Sequence, residues 1–400
     1  MSSIDAAKIG ELIDWLIDGA RSATRPNGPF SETCERLLAA GVPLARVALF
    51  IRILHPDIYG RAFFWRPGAE VVASTADIEI ETTPGFIRSP VVAVYQSRSE
   101  LRCRLDDPAS RRFPFLDEIR DEGVTDYVAL PLHFTDGSIQ VVSYTTKHPG
   151  GFDDEQLEAL RRIAAPMARL AEVITLRRTA AGLLDTYVGN SAGERILAGD
   201  IRRGHAEAMQ AVIWLSDLRG FTALSDRLSP RDVVEILNRY FDCQVPPIRK
   251  HGGEILKFMG DGLLAVFPIA KDGGNVAEVC ARVLDAAREA RANVVAMRHG
   301  SDEAAERFRF GVALHIGDIL FGNIGGSGRL DFTCIGPAVN LAARLEKIAG
   351  RLGRTVVASS AFAGSCAGEW TDLGEFPIAG LSSAQQVYGL RDETSTRNER

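Results

Sequence analysis

The sequence lacks any paired-cysteine signature. Its six cysteines (Cys34, Cys103, Cys243, Cys280, Cys334 and Cys366) are scattered, with no Cys-x-x-Cys and no ligand spacing to a histidine. That excludes a disulfide scaffold and a structural zinc site, and reads as free thiols in a reducing compartment. No run of about 18 apolar residues is present, so no transmembrane helix is expected. Asp5, Glu11 and Asp14 interrupt the apolar positions of the N-terminus, so no signal-peptide core is expected either. The expectation is a cytoplasmic protein without membrane insertion. An excess of basic charge is also missing: 46 Lys and Arg stand against 52 Asp and Glu, a net charge of −6. Such a surface attracts neither a phosphate backbone nor anionic lipid, so no nucleic-acid partner is expected. Repeats and low-complexity segments are absent as well.

What is present is an ordinary globular composition, 46% hydrophobic and 24% charged, in 400 residues. That length exceeds the size at which one core keeps growing, so two domains are expected. Ile9, Leu12, Ile13, Leu16 and Ile17 recur at helical spacing, and a second short helix is predicted over 31–40, giving N-terminal helices over residues 1–40. Short β-rich runs follow at 47–54, 61–65, 91–96, 126–133 and 138–145, then a long amphipathic helix over 153–174. With its Asp136-Gly137 hairpin and helical exit, the α+β region 41–175 resembles the GAF sensory fold, which implies a regulatory domain. Residues 176–207, interrupted by Gly189, Gly193 and Gly199, read as a helical linker outside any core.

From residue 208 the pattern sharpens. Strands are predicted over 211–216, 254–259, 263–267, 308–315, 318–324 and 330–334, and helices over 229–250, 276–298 and 337–349. Ser229-Pro230 is a good cap and first-turn pair, Gly252-Gly253 a stop, and Gly350 the end of the last helix. A β-α-β-β-α-β order of this kind builds a ferredoxin-like sheet with helices on one face. Two aspartates, Asp217 and Asp261, follow or split apolar runs beside glycines, so both carboxylates are expected where the sheet opens to solvent. Asp beside Gly also serves capping and turn geometry. Carboxylates so placed suit two divalent ions ~4 Å apart, and hard oxygen ligands with no His or Cys cluster favour Mg2+ or Mn2+.

Five separated motifs agree in order and spacing: Ser-Asp-Leu-Arg-Gly-Phe-Thr at 216–222, Leu-Asn-Arg-Tyr-Phe at 237–241, Lys-Phe-Met-Gly-Asp-Gly at 257–262, Gly-Val-Ala-Leu-His-Ile-Gly from 311, and Ile-Gly-Pro-Ala-Val-Asn-Leu-Ala-Ala-Arg-Leu at 335–345. On these, residues 208–392 resemble class III adenylate and guanylate cyclases, followed by a tail at 393–400. The resemblance implies that Asp217 and Asp261 hold two metal ions, that Lys257 and Thr333 read the purine, that Asn340 orients the ribose, and that Arg344 stabilises charge on the transferring phosphorus. Gly220, Phe221 and Thr222 would offer free backbone N–H groups to the triphosphate. An ammonium at 257 donates to adenine N1, whereas guanine N1–H needs an acceptor, so ATP is favoured over GTP. Thr333 stands where many members carry Asp, which resembles the subgroup that includes bicarbonate-responsive enzymes, and implies a possible bicarbonate or other small-molecule effector. Ala379 stands where a triphosphate-binding lysine is common; Lys347, Arg354 and Arg219 are the candidates to compensate. The implied protein is a homodimeric adenylate cyclase with sites shared between subunits. A guanylate cyclase, or a nucleotide-binding regulator of weak turnover, stays open as an alternative. His315 reads as a satisfied core histidine, and Gly325-Gly326-Ser327-Gly328 as a hairpin turn rather than a phosphate loop.

Overall fold

A computed structural model of the protein describes residues 4–23, 27–270, 275–299, 309–378 and 383–393. The chain divides into two units, Met1–Leu183 and Leu184–Arg400.

The first unit runs α1 (Ala6–Ile17), α2 (Gly28–Ala39), β1 (Arg46–Arg52), β2 (Ile58–Trp65), β3 (Val72–Asp77), α3 (Pro84–Ile87), α4 (Pro90–Ser97), β4 (Leu101–Arg104), α5 (Pro114–Asp121), β5 (Asp126–His133) and β6 (Ile139–Thr146). It closes with α6 (Asp154–Val188), whose last residues fall in the second unit. The described strands form one six-stranded antiparallel sheet in the order β3-β2-β1-β6-β5-β4. Side chains alternate across it. Val47, Leu49, Ile51, Phe63 and Trp65 point to one face and bury against Ile9, Leu12 and Leu16 of α1, Cys34 and Leu37 of α2, and Leu160 and Ile163 of α6. The strand expected over 91–96 is instead helix α4. Pro90 occupies its first turn and the Ser89 hydroxyl accepts a hydrogen bond from the Val92 N–H at 3.3 Å, so a cap overrides the β-branched composition. At the β5–β6 hairpin, Asp136 Oδ1 accepts from the Ser138 N–H at 2.8 Å and Gly137 takes φ +83°, as the Asp-Gly pair predicts.

The second unit contains α7 (Asn190–Leu197), β7 (Ala206–Leu218), α8 (Phe221–Ser225), α9 (Pro230–Asp242), α10 (Val245–Lys250), β8 (Glu254–Met259), β9 (Gly262–Pro268), α11 (Val276–His299), β10 (Phe310–Gly326), β11 (Arg329–Ile335), α12 (Pro337–Leu352), β12 (Val356–Ser359), α13 (Ser360–Ser365), β13 (Trp370–Phe376) and β14 (Gln385–Leu390). Its eight-stranded sheet is ordered β13-β14-β12-β10-β7-β9-β8, with β11 paired to β10. Helices cover both faces, not one. Val212 and Trp214 bury with Tyr240 of α9, Val283 and Ala287 of α11 and Phe362 of α13. The alternate residues Ala211, Ile213 and Leu215 bury with Ala338 and Ala342 of α12 and Ala192 of α7. A central strand that is apolar and buried at every position from Ala211 to Leu215 demands two covers. The second cover includes α7, so part of the stretch that reads as a linker belongs to this unit's core, with Ala192 fully buried.

Three further boundaries differ from the sequence reading. The helix expected over 229–250 breaks after Asp242, because Pro246 and Pro247 carry no N–H to continue it. The strands expected either side of Gly317 are one strand, β10. Gly317 makes no turn; a Cβ there would lie 2.6 Å from the Ala338 Cβ, so the glycine is what lets α12 lie against the sheet. Helix α12 passes Gly350 and ends at Gly353, the residue in the left-handed conformation at φ +65°.

Candidate functional site

Asp217 lies next to the end of β7, opposite Gly311 of β10, and Ser216 pairs with Leu263 of β9. Strands β8 and β9 turn through Gly260 and Asp261, with Met259 paired to Gly262 and Gly260 at φ +66°. That register sets the Asp261 turn directly beside the end of β7: a Cβ on Gly262 would sit 3.6 Å from Asp217 Oδ1. The two carboxyl groups are close enough to act on each other, and both are half-buried. Burial, and then the charge of Asp217, push the Asp261 carboxyl up to about 6. A divalent ion bound by both carboxylates would offset that repulsion. Among the described residues no group of three or more His, Cys, Asp or Glu side chains could hold a metal. Two carboxylates leave the other positions of an oxygen-ligated ion to backbone, water or phosphate, the usual donor set of Mg2+ at nucleotide sites.

Beside the pair stands an ion pair that sequence reasoning missed. Arg219 Nη1 is 2.5 Å from Glu346 Oε1, and Nη2 donates to the Glu346 carbonyl oxygen at 3.1 Å. The guanidinium fills a slot bounded by two glycines: a Cβ on Gly311 would fall 1.7 Å from Nη2, and one on Gly350 2.6 Å from Nη1. Burial raises the Glu346 carboxyl, Arg219 opposes that, and Asp217 adds to it, so the pair and the aspartates share one field. A signal for Glu346 exists in the sequence. It occupies the same helical face as Ala338, Ala342, Leu345 and Ala349, where a carboxylate needs a buried partner. Arg219 is thereby committed to structure. Arg354 is committed too, donating to the carbonyl oxygens of Leu390 and Glu393. Of the three candidates to replace a lysine at 379, only Lys347 is exposed without such a tie; Ala379 itself lies outside the described residues.

Gly220 takes φ +74° and opens α8, so the N–H groups of Phe221, Thr222 and Ala223 have no partner within that short helix. A second group forms around β8 and β11. Lys257 lies close enough to Cys334 for its charge to act on the thiol, which burial pushes up to about 11. Next to Cys334, the Thr333 hydroxyl is buried and has no hydrogen-bond partner among the described residues. Such an orphan costs about 1–3 kcal/mol unless something else satisfies it. Asn340 and Arg344, four apart on α12, share a face turned from the buried row, with Asn340 exposed. Neither Lys257 nor Arg344 makes an ion pair among the described residues. No hydrogen bond or ion pair among the described residues joins this second group to Asp217 and Asp261.

His315 and the glycine-rich turn fall as the sequence reading has them. His315 is buried, its Nδ1 2.8 Å from Ser359 Oγ, and burial lowers it to about 4. The Gly325–Gly328 segment joins β10 to β11 as a hairpin. All six cysteines are buried and free. Among the described residues, no helix is long and apolar enough to cross a membrane.

Residues 205–391 match the family model described as the adenylate and guanylate cyclase catalytic domain. The chain is 30% identical over 195 residues to adenylate cyclase 1 of Rhizobium meliloti (strain 1021), covering 47% of this chain and 29% of that protein. To an adenylate cyclase of Anabaena cylindrica it is 29% identical over 158 residues, covering 40% of this chain and 31% of that protein. The chain thus spans about a third or less of the length of these curated relatives. Among solved structures, a bacterial light-regulated adenylyl cyclase aligns at 20% identity and a TM-score of 0.48, covering 69% of this chain and 87% of that one.

Proposed function

We propose, from a second unit that carries a class III adenylate/guanylate cyclase catalytic domain at residues 205–391, that the protein is an adenylate cyclase converting ATP to 3′,5′-cyclic AMP and pyrophosphate. The ribose 3′ oxygen attacks the α-phosphorus, the bond from that phosphorus to the bridging oxygen of the β-phosphate breaks, and the 3′ proton is lost. Asp217 and Asp261 would hold Mg2+ or Mn2+, two ions per site, and ions bound there supply charge neutralisation to the entering and leaving oxygens. Their juxtaposition at the strand ends, set by the register of β7, β8 and β9, is the observation that carries the reading.

The other side chains have roles consistent with their surroundings. The unpaired Lys257 ammonium donates to adenine N1, and the orphaned Thr333 hydroxyl accepts from the 6-amino group. Asn340 orients the ribose, and the unpaired Arg344 fork stabilises charge growing on the phosphoryl oxygens. The free N–H groups at Gly220, Phe221 and Thr222 face the triphosphate. Because one chain holds a single copy of each group, a homodimer is proposed, each site taking its aspartates from one subunit and Lys257, Thr333, Asn340 and Arg344 from the other.

The first unit is proposed as a GAF-like regulatory domain, on the support of its β3-β2-β1-β6-β5-β4 sheet packed on α1, α2 and α6. The Thr333 substitution supports bicarbonate as an effector; equal rates in bicarbonate and chloride at fixed pH would reject it. Six buried free thiols support a reducing, cytoplasmic setting. The primary test is a cyclic-nucleotide assay on purified protein, with Mn2+ or Mg2+ and with ATP and GTP offered separately. Cyclic AMP from ATP is expected. Product from GTP alone would make the protein a guanylate cyclase, and no product with either would leave it a nucleotide-binding regulator.

A further inference from the structure

The first unit's sheet is packed by helices on one face and left partly open on the other. On the face opposite the packed helices, β1, β2, β3 and β6 present Ala48, Gly60, Ala62, Ser74, Ala76 and Ser143. Toward β4 and β5 the same face is filled by Leu116 and Ile119 of α5 and Val94 of α4, packed on Tyr127, Ala129 and Val141. Over β1 to β3 these small residues form a floor between the larger Arg46, Phe50, Arg52 and Phe64 of the same face, and a cavity of about 360 Å³ results. Its walls are aromatic: Tyr59, Phe64, Phe86, Tyr95 and Phe115. Exposed Ser74 and Thr75 line its rim and leave it open to solvent, so a ligand can enter.

Two guanidinium groups line the cavity. Arg52 lies over the Tyr59 and Tyr95 rings, 4.9 and 5.5 Å from their centroids, and pairs with Glu81 at 3.7 Å. Arg46 lies over Phe64 and Phe115 at 4.9 and 5.6 Å, and makes no ion pair among the described residues. The carboxylate that acts on it, Glu122, is paired with Arg66 at 3.2 Å. Burial lowers the Arg46 pKa, the signature of a cation short of a counter-charge. A half-buried guanidinium fixed between two rings and facing an apolar hollow is preorganised to receive an anion.

We propose that this cavity binds a small molecule with a flat apolar body and one anionic group, an aromatic carboxylate in chemical class. The body lies on the small floor residues between the rings, and the carboxylate is held by Arg46. The site is a ligand-binding one, and its occupancy is read without turnover, so it stands or falls separately from the cyclase reading.

The test is isothermal calorimetry on the full chain with 1-naphthaleneacetate and its neutral counterpart 2-(1-naphthyl)ethanol. The anion is expected to bind about tenfold tighter, the worth of one charge-assisted hydrogen bond. Arg46→Gln should erase that preference while leaving the neutral compound's binding unchanged, which also reports that the variant is folded. If Arg46→Gln does not fold, Arg46→Lys is used, which keeps the charge, loses the planar fork, and should weaken the anion several-fold. Ala62→Trp, which fills the hollow, should abolish both. Absence of binding by either compound overturns the proposal. So does an anion preference that survives Arg46→Gln, or binding that survives Ala62→Trp.

Discussion

Replacing Asp261 by Asn should stabilise the protein in the absence of divalent ions, and should do so only above a certain pH. The Asp261 carboxyl is raised from 3.8 to about 6, first by burial and then by Asp217. Fully transmitted, that displacement is worth about 3 kcal/mol. The group is only half-buried, so solvent screening reduces it to roughly 1 kcal/mol. Below pH 4 the carboxyl is protonated in both folded and unfolded chains and carries no penalty. Between 4 and 6 the folded state holds the proton more tightly, so stability falls as pH rises, and above 6 the full penalty is present. Asp261→Asn removes that charge while keeping a donor toward Asp217. At pH 7.5 with EDTA it should raise the melting temperature of the second unit by about 2–4 °C, with no difference from wild type at pH 4. Titrated Mn2+ should then raise the wild-type melting temperature progressively and leave the variant unmoved. Differential scanning calorimetry reads all three. A variant that melts lower at pH 7.5, or a difference that ignores pH, would refute the argument that the two carboxylates repel in an open cation site.

Glu346→Ala leaves the Arg219 guanidinium without its carboxylate and should cost roughly 3 kcal/mol, read as a lowered urea midpoint. Gly311→Ala drives a Cβ into the space of Arg219 Nη2, so it should cost about 1–3 kcal/mol in stability and lower kcat, with the two losses reproduced at Gly350→Ala. Lys257→Glu replaces a donor by an acceptor at the purine; competition assays should show the ratio of kcat/KM for ATP over GTP falling by at least about tenfold.

Much of the second unit was legible because its signals are local. Asp217 and Asp261 each stand at the end of an apolar run, and the register of β7, β8 and β9 brings them together as that placement implies. Other features were illegible for identifiable reasons. The strand reads as broken at Gly317 because a sequence carries no account of Ala338, which packs on that glycine from α12 and demands the missing Cβ. The Arg219–Glu346 pair joins positions 127 residues apart, and only the helical phase of Glu346 hints at it. In the first unit, the β-branched run at 91–96 outweighed the Ser89-Pro90 cap that in fact starts α4. The hollow over β1 to β3 was invisible for a different reason. Ala48, Ala62 and Ala76 are unremarkable singly, and only the strand pairing sets them on one floor.

The proposed nucleotide site is completed by two copies of the chain, with acidic groups from one and purine- and ribose-binding groups from the other. It is tested most directly by mixing Asp217→Ala protein with Asn340→Ala protein, each inactive alone, and measuring cyclic AMP formed from ATP. Random pairing makes half the dimers mixed, each with one of its two sites whole, so activity should return to about a quarter of wild type. A mixture that stays inactive while both variants fold and exchange subunits would contradict the claim.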